Sequence, residues 1–221
     1  MELFNLPPTT IVNRVIPKNT FDKYTNTKQK KLFADWIGRI TWLHKLSAST
    51  TNVEPKDINE IQVLLVELKV KRDIAPLLDI IDRFIPYPII FAIVYNDELY
   101  FSASSKHPNP SNDNNAVIDW TFQSEWITTD ENPFQIRLRK NLDWVFHNFC
   151  AQLTGNEQAA SLSHEELIKQ RQTATKLEKE IAKLKSRIAS TPQFNKRVEL
   201  NLKLKELGAE LRTHSNGEVN S

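Results

Sequence analysis

The sequence predicts an α/β or α+β fold, a mixed sheet flanked by helices, followed by a C-terminal antiparallel helical hairpin of coiled-coil character. Three observations carry this reading. Residues 58–70 are apolar on both alternating faces, as in a central strand covered on both sides. Helical and strand periodicities succeed one another irregularly over residues 1–155, which suits helices packed on a mixed sheet. Beyond residue 156, apolar residues recur at spacings of three and four and form two narrow seams.

Each element has its own justification. Residues 1–20 show little periodicity and read as an extended arm leading to Ile16-Pro17-Lys18. Leu32, Phe33, Trp36, Ile37 and Ile40, at steps of three and four, predict a helix over Thr27–Ile40. Thr41–Leu46 alternates like a strand, and Thr51–Lys56 is a polar loop. In the strand Ile58–Val70, Ile61, Val63 and Leu65 face one way; Leu64, Val66 and Leu68 face the other. A helix over Ile74–Phe84 stops before Ile85-Pro86-Tyr87-Pro88, because the residue ahead of a proline is pushed out of helical backbone. Ile89–Tyr95 and Leu99–Ser104 form a hairpin across Asn96-Asp97-Glu98. Lys106–Asn115 reads as a polar loop and Ala116–Ile127 as a strand pair with Trp120, Phe122 and Trp126 on one face. Pro133–Leu153 reads as a helix that Thr154-Gly155-Asn156 ends. The expected units are therefore a globular domain over 1–155 and, over 156–221, a helical arm with a short disordered tail.

On the arm, Leu167, Ala174, Leu177, Ile181, Leu184 and Ile188 line the first helix; Leu200, Leu204, Leu207 and Leu211 line the second. Thr191 is read as an N-cap and Pro192 as the first helical residue, where its missing N–H costs nothing. Leu177, Ile181, Leu184, Leu200, Leu204 and Leu207 should meet in the seam. Lys169, Lys176, Lys179 and Lys183 lie opposite it, with Arg187, Arg197 and Lys203 nearby. Such a stripe can follow phosphates, and it is equally the usual solvated back of a coiled coil.

Composition narrows the chemistry. The net charge of +2 divides unevenly: residues 1–72 carry twelve Lys/Arg against seven Asp/Glu, residues 73–155 five against eleven, and residues 156–221 twelve against nine. A basic segment can be a nucleic-acid footprint, or ordinary surface. The four glycines argue against a Gly-rich phosphate loop, and the one cysteine, Cys150, leaves no disulfide framework and no thiol cluster for zinc. His44, His107, His147, His164 and His214 show no ligand spacing, and neither a G-x-S-x-G nor a Walker A motif is present. The start lacks a basic n-region and an apolar h-region, and no apolar run reaches the ~18–20 residues a membrane span needs. These features predict a cytoplasmic protein without membrane partners. The five tryptophans could stack on bases, but each falls on a predicted apolar face.

Glu67-Leu68-Lys69 is the one catalytic candidate. Two residues apart on a strand, Glu67 and Lys69 would share a face. Nucleases of the restriction-endonuclease type use this pattern: carboxylates hold Mg²⁺ and the lysine orients a metal-bound water. A further upstream acid is needed; Asp57 is the best spaced candidate and Glu60 the next.

The segments Ile16-Pro17-Lys18 with Phe21, Ile40–Ser47, Glu60–Val63 running into Glu67-Leu68-Lys69, and Ile81–Tyr87 resemble a bacterial family, domain-of-unknown-function family 4391. The resemblance covers the globular part and continues into the hairpin. It implies genes beside DNA methyltransferases and superfamily-two helicases in restriction or phage-defence loci, and hence an accessory subunit of a DNA-processing complex. The family brings no catalytic residues to carry over. The hairpin alone is similar to the tRNA-binding arm of valyl-tRNA synthetases, a likeness any leucine-rich helical hairpin shares. Two functions are thus expected to compete. One is a non-catalytic adaptor without cofactor that docks on a helicase or methyltransferase and touches nucleic acid through Lys176, Lys179, Lys183, Arg187 and Arg197. The other is a Mg²⁺-dependent nuclease using Asp57, Glu67 and Lys69.

Overall fold

Alternation sends Leu64 and Val66 to one face of a strand and Ile61 and Val63 to the other, and all four are buried, so this strand must be covered on both sides. The computed structural model of the chain, which describes residues 3–109, 112–156, 159 and 161–216, shows how. Its elements are β1 (Ile11–Val15), α1 (Thr27–Trp36), β2 (Ile37–Ser47), α2 (Ala48–Thr51), β3 (Glu60–Leu68), α3 (Ala75–Phe84), β4 (Ile89–Tyr95), β5 (Glu98–Asn109), β6 (Asn112–Gln123), β7 (Ile127–Thr128), α4 (Leu142–Gln152), α5 (His164–Ser190) and α6 (Phe194–Asn216). The sheet runs β1-β2-β3-β4-β5-β6, with β7 added on β5. Every pairing is antiparallel except β3 with β4, which α3 joins as a crossover. This is a mixed sheet flanked by helices, an α+β fold.

Each face has its own core. Phe33 of α1 and Leu77 and Ile81 of α3 pack with Ile37, Ile40, Leu64, Val66, Phe91 and Ile93 in one buried cluster. On the other face Phe4, Phe101 and Phe149 meet in tilted and edge-on ring contacts, which places α4 and the N-terminal segment there.

Several boundaries differ from the sequence reading. The helix expected over Thr27–Ile40 ends at Trp36, and Ile37 begins β2. A register shift between Ile37 and Arg39 lets Ile37 and Ile40 reach the same core from a strand, so their helical spacing misleads. Gly38 sits where an added Cβ would lie 3.1 Å from the Glu67 carbonyl oxygen, a close approach of β2 to β3 that glycine allows. The arm over residues 1–20 contributes an edge strand, β1, kinked at Asn13 with φ +46°. Lys106–Asn115 is not a loop: β5 runs to Asn109 and β6 starts at Asn112, with residues 110 and 111 outside the described residues. Ala116–Ile127 is the end of one strand, β6, plus the short β7. Residues 133–141 are extended rather than helical. Phe134, Ile136 and Leu138 alternate inward, Lys140 takes φ +56°, and α4 starts only after the Asn141 side chain accepts the Trp144 N–H.

The chain divides into two compact units, Met1–Gly155 and Asn156–Ser221. In the second, α5 opens with a capping box between Ser163 and Glu166. Hydrogen bonds from Ser163 hold the Glu166 carboxyl below its ordinary value. The C-terminal helices α5 and α6 pack together. Thr191 ends α5 rather than opening α6: its N–H donates to the Ile188 carbonyl and its hydroxyl to that of Arg187. With that oxygen turned backward, Pro192 falls in the link and α6 starts at Phe194. The tail over 217–221 lies outside the described residues. Among the described residues no helix is long and apolar enough to cross a membrane.

Candidate functional site

The β2–β3 register decides what surrounds Glu67. Arg39 is its cross-strand partner, with Nε 3.6 Å from Oε2, both side chains well exposed. A guanidinium therefore stands where a metal site would need a second carboxylate. The pair borders a concavity of about 590 Å³, lined also by Thr41, His44, Leu65 and Val94 and closed along one side by Phe4, Leu6 and Ile11.

Lys69 does not join Glu67. It lies one residue past β3, where the chain leaves the sheet. Its N–H donates to the Trp36 carbonyl at 2.8 Å and its Nζ to the Ala34 carbonyl at 2.7 Å, so it caps the C-terminal end of α1. Asp57 precedes β3 at the opposite end. From Glu60 to Glu67 alone the strand covers roughly 23 Å at ~3.3 Å per residue. The Asp57 side chain is exposed beside Lys56, while its N–H, with those of Lys56 and Ile58, donates to the Asp143 carboxylate. Glu60 is tied to Lys45 at 2.5 Å and accepts from Gln62. Asp57, Glu67 and Lys69 are thus dispersed, and among the described residues no three His, Cys, Asp or Glu side chains converge as a metal site.

A buried pair of opposite charges lies elsewhere, and sequence reasoning missed it. Lys106 and Asp82 are almost fully buried with Nζ 2.6 Å from Oδ1. Lys106 also donates to the carbonyls of Asp82 and Ile85, at 2.7 Å each. Burial pushes the Asp82 carboxyl up and the Lys106 ammonium down; their mutual attraction opposes both shifts. The pair ties the end of α3 to β5. It adjoins a concavity of about 540 Å³ lined by Asp79, Ser102, Ser104, Thr121 and Gln123. The one available signal was Asp82 standing among the apolar residues of α3. Cys150 is fully buried, which raises its thiol and makes it packing rather than a nucleophile.

On the arm, Leu177 and Leu184 are buried, and Ile181, Leu200, Leu204 and Leu207 are half-buried. Lys169, Lys176, Lys179, Lys183 and Arg187 are exposed on α5 and Arg197 on α6; none is held in an ion pair among the described residues. Phe194, Val198 and Leu202, which the reading of the seam passed over, are exposed on α6. Trp36, Trp42 and Trp126 pack against the core of the globular unit, Trp126 beneath the Lys71 ammonium at 4.8 Å.

A family model described as a domain of unknown function (DUF4391) matches residues 4–211. No curated protein and no solved structure matches the chain.

Proposed function

This chain belongs to the DUF4391 family, a domain of unknown function, so its role is to be read from its own surfaces, and we propose that it is a non-catalytic accessory subunit of a DNA-processing or phage-defence complex. In this reading a helicase or methyltransferase does the chemistry, and the arm holds nucleic acid by its backbone. The observation that carries it is the row of exposed cations on one side of α5, Lys169, Lys176, Lys179, Lys183 and Arg187. Rows of exposed cations on a helix suit phosphates, and the affinity they supply comes from released counterions. The Arg39–Glu67 pair supports an adaptor over a nuclease, because the only acid of the proposed dyad already faces a cation.

The test is fluorescence anisotropy of labelled duplex DNA against salt. Changing Lys176, Lys179 and Lys183 to Glu should abolish binding at moderate salt, and changing them to Ala should lower the log–log salt slope by about one per lysine. Unaltered binding would remove the arm from the interface. Mg²⁺-dependent cutting by the isolated chain, lost in Glu67→Ala, would overturn the adaptor reading.

A further inference from the structure

Between α3 and the strands β5 and β6 lies the concavity of about 540 Å³, a size that suits a small molecule. Ser102 and Ser104, two residues apart on β5, line it with their cross-strand partners Gln123 and Thr121. Much of its polar surface is already engaged. The Ser104 hydroxyl lies 3.0 Å from that of Thr121 and beside the Asp82 carboxylate, which Lys106 holds. Asp79, also on the lining, is held by Arg83. Two groups are left over. Ser102 is 3% exposed, and its hydroxyl has no hydrogen-bond partner among the described residues. A polar group so buried is ordinarily satisfied, so one that lines a cavity unpaired points to a group that enters it. Asp73, just before α3, accepts the Ala75 N–H at 2.9 Å and faces no paired cation among the described residues.

The charges on the lining decide the ligand. Its ionisable side chains are all carboxylates, Asp73, Asp79 and Asp82; Lys71 and Arg72 line a smaller adjoining concavity instead. An anion would meet no cation here. A neutral ligand would take water from Asp73 without matching its charge. A metal ion needs ligands that converge, and among the described residues no three His, Cys, Asp or Glu side chains do. An ammonium group has three donors and no acceptor, which suits the Asp73 carboxylate, the Ser102 hydroxyl and the Gln123 amide oxygen. The rest of the lining, including Ala75, Pro76, Leu78 and Phe91, is apolar and suits a hydrocarbon body. We propose that this concavity binds a primary alkylammonium, with Asp73 and Ser102 recognising its charged end. A free amine and the lysine side chain of a partner both carry that group. The site lies wholly within the globular unit, so it does not depend on the role given to the arm.

The test is a titration of the isotope-labelled full chain with butylamine, butan-1-ol and Nα-acetyl-lysine methylamide, followed by amide chemical shifts. Butylamine should shift the amides of Asp73, Ser102 and Gln123 saturably, and butanol should not. Asp73→Asn keeps an acceptor for the Ala75 N–H and removes the charge; it should raise the dissociation constant about tenfold or more. Ser102→Ala should raise it about fivefold while leaving the urea midpoint unlowered, because that hydroxyl has no bond within the protein to lose. Tighter binding of the lysine derivative than of butylamine would assign the site to a partner's side chain, and the reverse to a free amine. Butanol binding as well as butylamine would leave only an apolar cleft and overturn the proposal. Shifts spread over the acidic surface, no saturable shift at all, or binding unaltered in Asp73→Asn would overturn it equally.

Discussion

Lys106 uses its ammonium group as a clamp: one hydrogen bond to the Asp82 carboxylate and two to carbonyls at the end of α3, with almost no access to water. Breaking such a pair on one side leaves an uncompensated buried charge, which costs more than the intact pair contributes. Lys106→Met should therefore lower stability by about 3–5 kcal/mol, read as a fall in the urea midpoint. Adding Asp82→Leu should recover much of the loss, though not the two carbonyls left without a donor. A single variant as stable as the parent would show that the pair is not closed to water. Glu67 illustrates the opposite case. Its chemistry is set by Arg39, a residue far away in sequence, and only the strand register brings the two together.

The helices and strands differ in how openly the sequence declared them. On α5 the heptad positions include the four buried residues Leu167, Ala174, Leu177 and Leu184, while the leucines of α6 are half-buried. Leu184 is 5% exposed, and Leu184→Ala should cost up to roughly 2–5 kcal/mol, less if the two-helix seam collapses around the gap. Unchanged thermal melting of the arm would sink the register. β3, α3 and the β4–β5 hairpin were equally legible, because both faces of β3 are apolar and Asn96, at φ +55°, makes the turn. Elsewhere local pattern was overruled. Ile37 and Ile40 keep a helical interval yet occupy a bulged strand, and no local rule reveals a bulge. Lys106, Asn109 and Asn112 have the composition of a loop, but their strand positions come from cross-strand pairing. The extended strap before α4 was visible as alternation at Phe134, Ile136 and Leu138, and was masked by the helix that follows. Of the candidate site, spacing suggested Glu67 and Lys69 as neighbours on one face. The strand ends between them in effect, and Lys69 turns to α1.

For the molecule as a whole, the division at Gly155 leaves each unit its own apolar interior. Truncation after Gly155 is expected to yield a soluble domain that unfolds in one cooperative transition. A molten or insoluble product would show that residues beyond 155 complete the core. The same division leaves the globular unit nearly balanced in charge, the basic residues 1–72 offsetting the acidic residues 73–155, while the arm carries twelve Lys/Arg against nine Asp/Glu.

The order of strands across the sheet is the order in which they are synthesised, and this has a kinetic consequence. From β1 to β6 each strand pairs with the one just made, with α1, α2 and α3 lying in the connections. Such short-range pairing lowers the loop-closure entropy of each step, so the sheet can grow in the direction of translation. Long-range closures cannot, among them Asn132 donating to the Leu3 carbonyl and the Asp143 carboxylate receiving the amides of residues 56–58. They join chain ends of the sheet that are made far apart in time. In pulse-labelled hydrogen exchange during refolding, the Ile58 amide should gain protection after the amides of β3. Simultaneous protection would mean that the sheet and its far-side cover condense as one nucleus.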